Sequence, residues 1–288
     1  MKESRIKIGF RKLFKNKVTT FALIVLSLIV VGALLAPWIT SHNPIEENIV
    51  NRLLPGFWNN SMSKGHVLGT DHLGRDTLSR ILYGTRTTLW VSLVATSIGL
   101  FFGVSLGMLA GYYKHLDNVI MRLMDILFTF PGILLAMLIV AMLGVSTFNA
   151  MLAISIWSIP GFARMIRSKV LSIKQEEYIT STRALGATDS RIILNHILPN
   201  TLPTVIVVAT MRLASSIMSI ATLSFLGLGT PPPAPELGGM IAIAKDFMYE
   251  RPNLIILPGL VVMLCVISFN LLGDKLSDIL DPNLKENF

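Results

Sequence analysis

The sequence predicts an all-α membrane protein of six transmembrane helices with both termini on the cytoplasmic side. Three observations predict it. Hydrophobic residues make up 52% of the 288 and charged residues 15%, with mean hydropathy +0.63, whereas an average soluble domain carries about 25% charge. Uncharged runs of about 20 residues, the length that crosses a bilayer core as a helix, recur along the chain. Lys and Arg also collect in alternate connecting segments.

The elements follow in order. A basic tail, residues 1–19, precedes a first span at 20–39. A cleaved leader shows the same order of charge and apolar residues, but its apolar region is shorter and ends in a small-x-small site. Leu34 stands two residues before Ala36, so 20–39 reads as an uncleaved span. Residues 40–86 form an extracytoplasmic loop. The second span, 87–112, holds SLVATSIGLFFGVSLGMLAG, whose small residues suit close helix contact.

Ile126 to Ala163 is uncharged and too long for one crossing. LGVSTFN supplies a turn, giving spans at 119–143 and 148–164, and Pro131 and Pro160 are expected to bend them. A polar stretch at 165–200 is followed by a fifth span, 201–223. The outer loop 224–252 contains TPPPAP, which cannot be ordinary helix. The sixth span, 253–273, and a cytoplasmic tail, 274–288, complete the chain, so that 87–288 forms a five-helix core.

Short cytoplasmic loops hold the excess of Lys and Arg in membrane proteins. With the N-terminus inside, seventeen fall on the cytoplasmic side and seven outside, with Arg212 inside span five. The net charge of +8 is therefore sorted by membrane side, and the nucleic-acid reading falls away. The single cysteine, Cys265, lies in an apolar run, which excludes an intrachain disulfide and a thiolate metal cluster.

The longest internal polar segment, EEYITSTRALGATDSRIILNHILPN at 176–200, is then cytoplasmic. Glu176 and Glu177 suit the positive end of a helix, and Tyr178, Ile179, Thr182 and Leu185 recur at helical spacing. Gly186 fits a helix-ending position. Thr188 or Asp189 can cap a second helix through RIILNHIL to Pro199. On amphipathicity alone the segment is an interfacial helix joining two spans.

Its spacing carries more. Thr180-Ser181-Thr182, Gly186 and Ile197-Leu198-Pro199 resemble the cytoplasmic loop signature of ABC importer permeases: EAA, three residues, G, nine residues, then I-x-L-P. Gly186 and Pro199 match outright. Thr180 stands in the Glu position, Ser181 and Thr182 in the Ala positions and His196 in the Ile position. APWITSHNP, HVLGTDHLGRDTLSRILYGTRTTL, LDNVIMRLMDILFTFP, SFLGLGTPPPAPELGGM and FNLLGDKLSDILDPNL, in register across nearly the whole chain, look like the permeases of dipeptide, oligopeptide and nickel importers.

The resemblance implies the type I permease fold of ABC importers and a coupling helix that sits in a groove of an ATPase subunit. Tyr178, Thr180, Ser181, Thr182, Arg183, Ala184, Gly186, Ala187 and Pro199 are the residues expected there. It also implies a second related permease subunit, two cytoplasmic ATPase subunits, an extracytoplasmic solute-binding protein, surrounding membrane lipid and a bacterial cytoplasmic membrane. ATP and Mg would be bound by the ATPase partners, with no cofactor on this chain. Uptake of di- or oligopeptides is the first expectation, nickel or a metal chelate the second, and a membrane scaffold without transport the reading from another class.

Other features point less far. GTDHLGRD at 69–76 opens like a phosphate loop but has Arg75-Asp76 where Lys-Ser/Thr would bind phosphate and magnesium. His66, Asp71 and His72 are close in an outer loop without a regular element to fix their spacing, and no metal is assigned. No catalytic residue is expected. Arg212 is the one charge deep in a span, where a charge is functional by default unless it snorkels. With Ser215 and Ser216 it forms the candidate lining of a pathway, among the hydroxyls of Thr210, Ser219 and Thr222. Arg122 and Asp125 are placed to pair along one helix.

Overall fold

The computed structural model describes residues 16–58 and 65–280. Most of the basic tail 1–19 and of the tail 274–288 lies outside the described residues. The described chain is helical, with a single isolated bridge, Thr70 to Asp76, as its extended pairing. The helices are α1 (Lys17–Leu34), α2 (Ala36–Ile39), α3 (Thr77–Tyr112), α4 (Lys114–Thr129), α5 (Gly132–Leu143) and α6 (Thr147–Lys174). They continue with α7 (Glu177–Ala184), α8 (Asp189–Ile192), α9 (Leu198–Phe225), α10 (Leu237–Ala244) and α11 (Asn253–Leu280).

Four helices are long and apolar enough to cross a membrane, or five when α4 and α5 count as one bent span. The expected six include α6, which composition does not select because Asn149, Trp157, several serines and Arg164 dilute it. A helix shielded from lipid by its neighbours can carry polar residues toward the bundle interior, and α6 buries Ala153, Ile154, Phe162, Ala163, Ile166 and Val170 against those neighbours. Lipid-type exposure is found instead on α1, where Phe21 and Leu28 are about two-thirds exposed.

The closest packing is between α3 and α6, which run parallel. Gly99, Gly103, Gly107 and Gly111 form one stripe at four-residue spacing. A Cβ on them would lie 1.8 Å from Ser158 Oγ, 2.4 Å from Phe162 Cβ, 2.5 Å from the Ala163 carbonyl oxygen and 2.7 Å from Val170 Cβ. The backbones approach because there is nothing between them, which is how helices associate where lipid is as apolar as leucine.

Where the sequence places one span at 119–143, the chain instead breaks by 89° between α4 and α5. Phe130 precedes Pro131 and is extended, at φ −87° and ψ 131°, as a residue before proline prefers. Pro160, by contrast, lies inside an uninterrupted α6. Asp125 pairs with Arg164 of α6 at 2.5 Å rather than with Arg122, which ties α4 to α6.

The two ends of the bundle differ. At one end residues 40–58 and 65–76 fold over the start of α3 and meet the segment 226–252. Asp71 accepts from Arg75 Nε at 2.7 Å and lies 3.3 Å from Arg80 Nε, while Arg80 donates to the Pro44 carbonyl at 2.8 Å. Arg251 donates to the Leu53 carbonyl at 2.7 Å, and His72 stacks on Phe247 with ring centres 5.4 Å apart. Glu236 caps α10, accepting from Gly239 N at 2.8 Å and from Thr88 Oγ1 at 2.9 Å. The other end carries the polar segment 176–200.

Candidate functional site

The segment 176–200 is a hairpin held by a small buried foot. Ile179, Ile192 and Ile197 are almost fully buried and pack with Ile166, Val170 and Ile173 of α6 and with Tyr112 at the end of α3. Ile179 is the buried residue of α7, and all but Thr182 of its other residues face out. Tyr178, Thr180, Ser181, Arg183, Ala184, Leu185 and Gly186 are exposed, Leu185 at 88%. Thr182 is half-buried and Ala187 partly buried against the foot.

Local chemistry sets the shape. Ser181 and Thr182 donate to the carbonyls of Glu177 and Tyr178, at 3.0 and 2.7 Å, so both hydroxyls are spent inside α7. Gly186 takes φ +81° at the tip, the left-handed conformation that is cheap only for glycine, and a Cβ there would meet nothing within 4 Å. Tyr178 accepts from Asn200 Nδ2 at 3.1 Å, joining the two arms. Burial, then the charge of Glu176, raises the Tyr178 pKa, which keeps the phenol neutral.

The second arm is not a separate short helix. α8 passes through a π-helical turn, Ile193–Ile197, directly into α9, so that Asp189–Phe225 is one helical run. Pro199 is exposed in the first turn of α9; prolines deprive this ladder of donors, and the π turn absorbs the mismatch. Thr188 occupies the cap position without a side-chain bond. Asp189 is drawn elsewhere.

Its carboxylate accepts from the Tyr112 hydroxyl, and Arg183 Nη2 donates to the same hydroxyl at 2.9 Å. Lys174 Nζ donates to the Tyr112 carbonyl at 2.6 Å. One tyrosine at the end of α3 therefore straps both arms of the hairpin and the end of α6. Its hydrogen bond is the first cause that raises the Arg183 pKa. Nearby, Asp117 of α4 takes both Arg167 Nε and Nη2, at 2.5 and 2.6 Å, the planar two-point geometry that charge-assisted pairs favour. Tyr112, Lys174 and Asp189 carry no motif, and the strap joins residues 71 and 77 positions apart; the one sequence signal was Asp189 beside a cap.

The three candidate pathway residues do not share one face. Arg212 is half-buried against α6, where a Cβ on Gly161 would lie 2.2 Å from its Nη2. Ser215 is exposed and donates to the Met211 carbonyl of its own helix at 3.3 Å. Ser216 is buried and accepts from Thr96 Oγ1 at 2.9 Å. Ser216 therefore joins α9 to α3.

Apolar spans bundled around a glycine-lined helix pair, with an exposed hairpin at one end, define a multi-pass membrane protein. Residues 99–286 match the family described as binding-protein-dependent transport system inner membrane component, and residues 4–55 match the N-terminal TM domain of oligopeptide transport permease C. The chain belongs to this family of inner membrane components. The dipeptide transport system permease protein DppC of Alkalihalophilus pseudofirmus is 43% identical over 278 residues, 96% of this chain and 90% of the relative. The glutathione transport system permease protein GsiD of Pectobacterium atrosepticum is 48% identical over 228 residues, 79% of this chain and 76% of that one. An inward-facing structure of the MetNI methionine ABC transporter superposes with a TM-score of 0.57 at 19% identity, over 70% of this chain and 96% of that one. The fold is that of a type I ABC importer permease.

Proposed function

We propose that the chain forms half of the translocation pathway of an ATP-driven importer of short peptides, and that its hairpin receives the movement of an ATPase subunit. The observation that carries this is an exposed α7 on a buried foot, strapped by Tyr112 to three spans. A push on α7 is passed to α3 through the Tyr112 hydroxyl, to α6 through Lys174, and to α9 along the unbroken helix from Asp189. One docking surface thus moves most of the bundle.

The peptide class is supported by the relatives, whose names refer to dipeptide and to glutathione. The complete importer then contains a second permease, two ATPases that bind ATP and Mg, and a solute-binding protein at the loop end. This chain holds no cofactor and contributes no chemical step. ATP and loaded binding protein must favour the same state of the bundle through differential contacts, or no coupling results. Arg212 and Ser215 are the residues of α9 proposed to meet the solute or the second permease.

The test is purification from the native membrane in mild detergent, with partner identification and an ATPase assay on the same material. A second permease and ATPase chains are expected to copurify, with hydrolysis stimulated by peptide-loaded binding protein. A chain that comes alone, from a membrane with no associated ATPase, would return residues 176–200 to the role of an interfacial connector.

A further inference from the structure

At the loop end the fold assembles a donor set that the spacing of the sequence does not reveal. His42 follows α2, His66 lies in the middle of the loop and Asp76 caps α3. Their ligand atoms all lie within 4.8 Å of one another, with His66 and Asp76 buried and His42 half-buried. The two imidazole rings face each other at 4.5 Å, and His66 Nδ1 is 2.9 Å from Asp76 Oδ1. Gly65, at φ +113°, passes beside His42, where a Cβ on it would stand 3.6 Å from Cε1 and 3.7 Å from Nε2.

We propose that His42, His66 and Asp76 bind a divalent first-row transition ion such as Zn²⁺ at the outer face of the permease. Two imidazoles and one carboxylate are a donor set that such ions take, with positions left for water. The outer coordination sphere is also built: Ser79 N and Oγ both donate to Asp76 Oδ2 at 2.8 Å, which leaves Oδ1 to the histidines. Ordered partners of this kind orient a ligating carboxylate. Donors around a tetrahedral zinc at about 2.1 Å stand about 3.4 Å apart, so closure needs a movement of about 1.5 Å, available to the half-buried His42.

The ion takes the place of the proton between His66 and Asp76, and His66 then carries its proton on Nε2. The bound ion staples the segment after α2 to the start of α3. Arg75, Arg80 and Asp71 are spent on one another and take no part. The competing account is that His66 and Asp76 form an ordinary hydrogen bond with His42 stacked beside it.

The experiment is zinc titration of the full chain, purified through a tag without histidine and stripped with chelator, followed by calorimetry and thermal unfolding. The expected result is one Zn²⁺ per chain, an affinity at least tenfold weaker in His42→Ala, and a zinc-dependent rise in Tm that His42→Ala and His66→Gln both lack. His42→Ala carries the test if His66→Gln fails to fold, because only the half-buried ring is removed. Absence of stoichiometric zinc in the wild type overturns the proposal. So does zinc binding that His42→Ala leaves unchanged.

Discussion

Replacing Gly103 or Gly107 with alanine tests the packing of α3 on α6 in a way that separates it from helix propensity. The new methyl at Gly103 would lie 2.4 Å from Phe162 Cβ and 2.9 Å from the Ile159 carbonyl oxygen, and at Gly107 it would lie 2.5 Å from the Ala163 carbonyl oxygen. Ordinary contacts lie at about 3.5–4.0 Å, so the helices must part by about 1 Å. Overpacking costs about 1–3 kcal/mol, against a gain of about 1 kcal/mol for alanine over glycine inside a helix. The net is a loss of up to about 2 kcal/mol. Gly259→Ala is the control: it lies inside α11 with nothing within 4 Å of the added Cβ, and the propensity gain of about 1 kcal/mol stands alone. Thermal unfolding of the purified chain should show Gly103→Ala and Gly107→Ala melting up to about 8 °C below wild type, and Gly259→Ala melting above it. Glycine-stripe variants that melt as far above wild type as Gly259→Ala does would refute the claim that these backbones are in contact.

Three further outcomes follow. Tyr112→Phe removes the hydroxyl that joins Arg183 to Asp189, and in the assembled importer it should lower solute-stimulated ATP hydrolysis several-fold while leaving ATPase copurification intact; an unchanged stimulation ratio would discount the strap. Ile179→Ala, at a residue 1% exposed, removes a buried side chain worth about 2–5 kcal/mol, and trypsin should then cut after Arg183 faster than in wild type. Burial raises the Glu236 pKa above its ordinary 4.5. A raised folded-state value means that the group's stability is full below the ordinary pKa and is lost as pH rises through the folded one. Glu236→Gln does not titrate, so wild type should lose Tm relative to it as pH rises; a pH-independent difference would contradict the raised pKa.

What could be read from the sequence was mostly what depends on solvent. Uncharged runs mark α1, α3, α9 and α11, because the bilayer selects for them directly, and alternating loop charge marks the two ends. α6 was legible only as part of a longer apolar run, since a helix enclosed by helices is free to carry Asn149 and several serines. The 89° break at Pro131 lies inside one expected span, because proline signals a bend without its angle. Asp189 was legible as a cap, yet its carboxylate goes to Tyr112: a long-range partner with an acidic-acceptor preference outcompeted the local backbone. The partners of the histidines were likewise not legible. His66 and His72 look paired in sequence, whereas the fold sends His72 to Phe247 and brings His66 to His42 and Asp76.

The most direct test of the coupling account is solute-stimulated ATP hydrolysis and peptide uptake by the importer carrying Gly186→Arg. Position 186 is exposed at the hairpin tip, with no atom within 4 Å of an added Cβ, and its φ of +81° makes any side chain strained there without a clash inside the chain. That strain is about 1–2 kcal/mol and local, so the protein level should hold. The account predicts that ATPase copurification falls and that stimulated hydrolysis and uptake are lost together. Uptake and stimulation equal to wild type, at equal protein level, would contradict it.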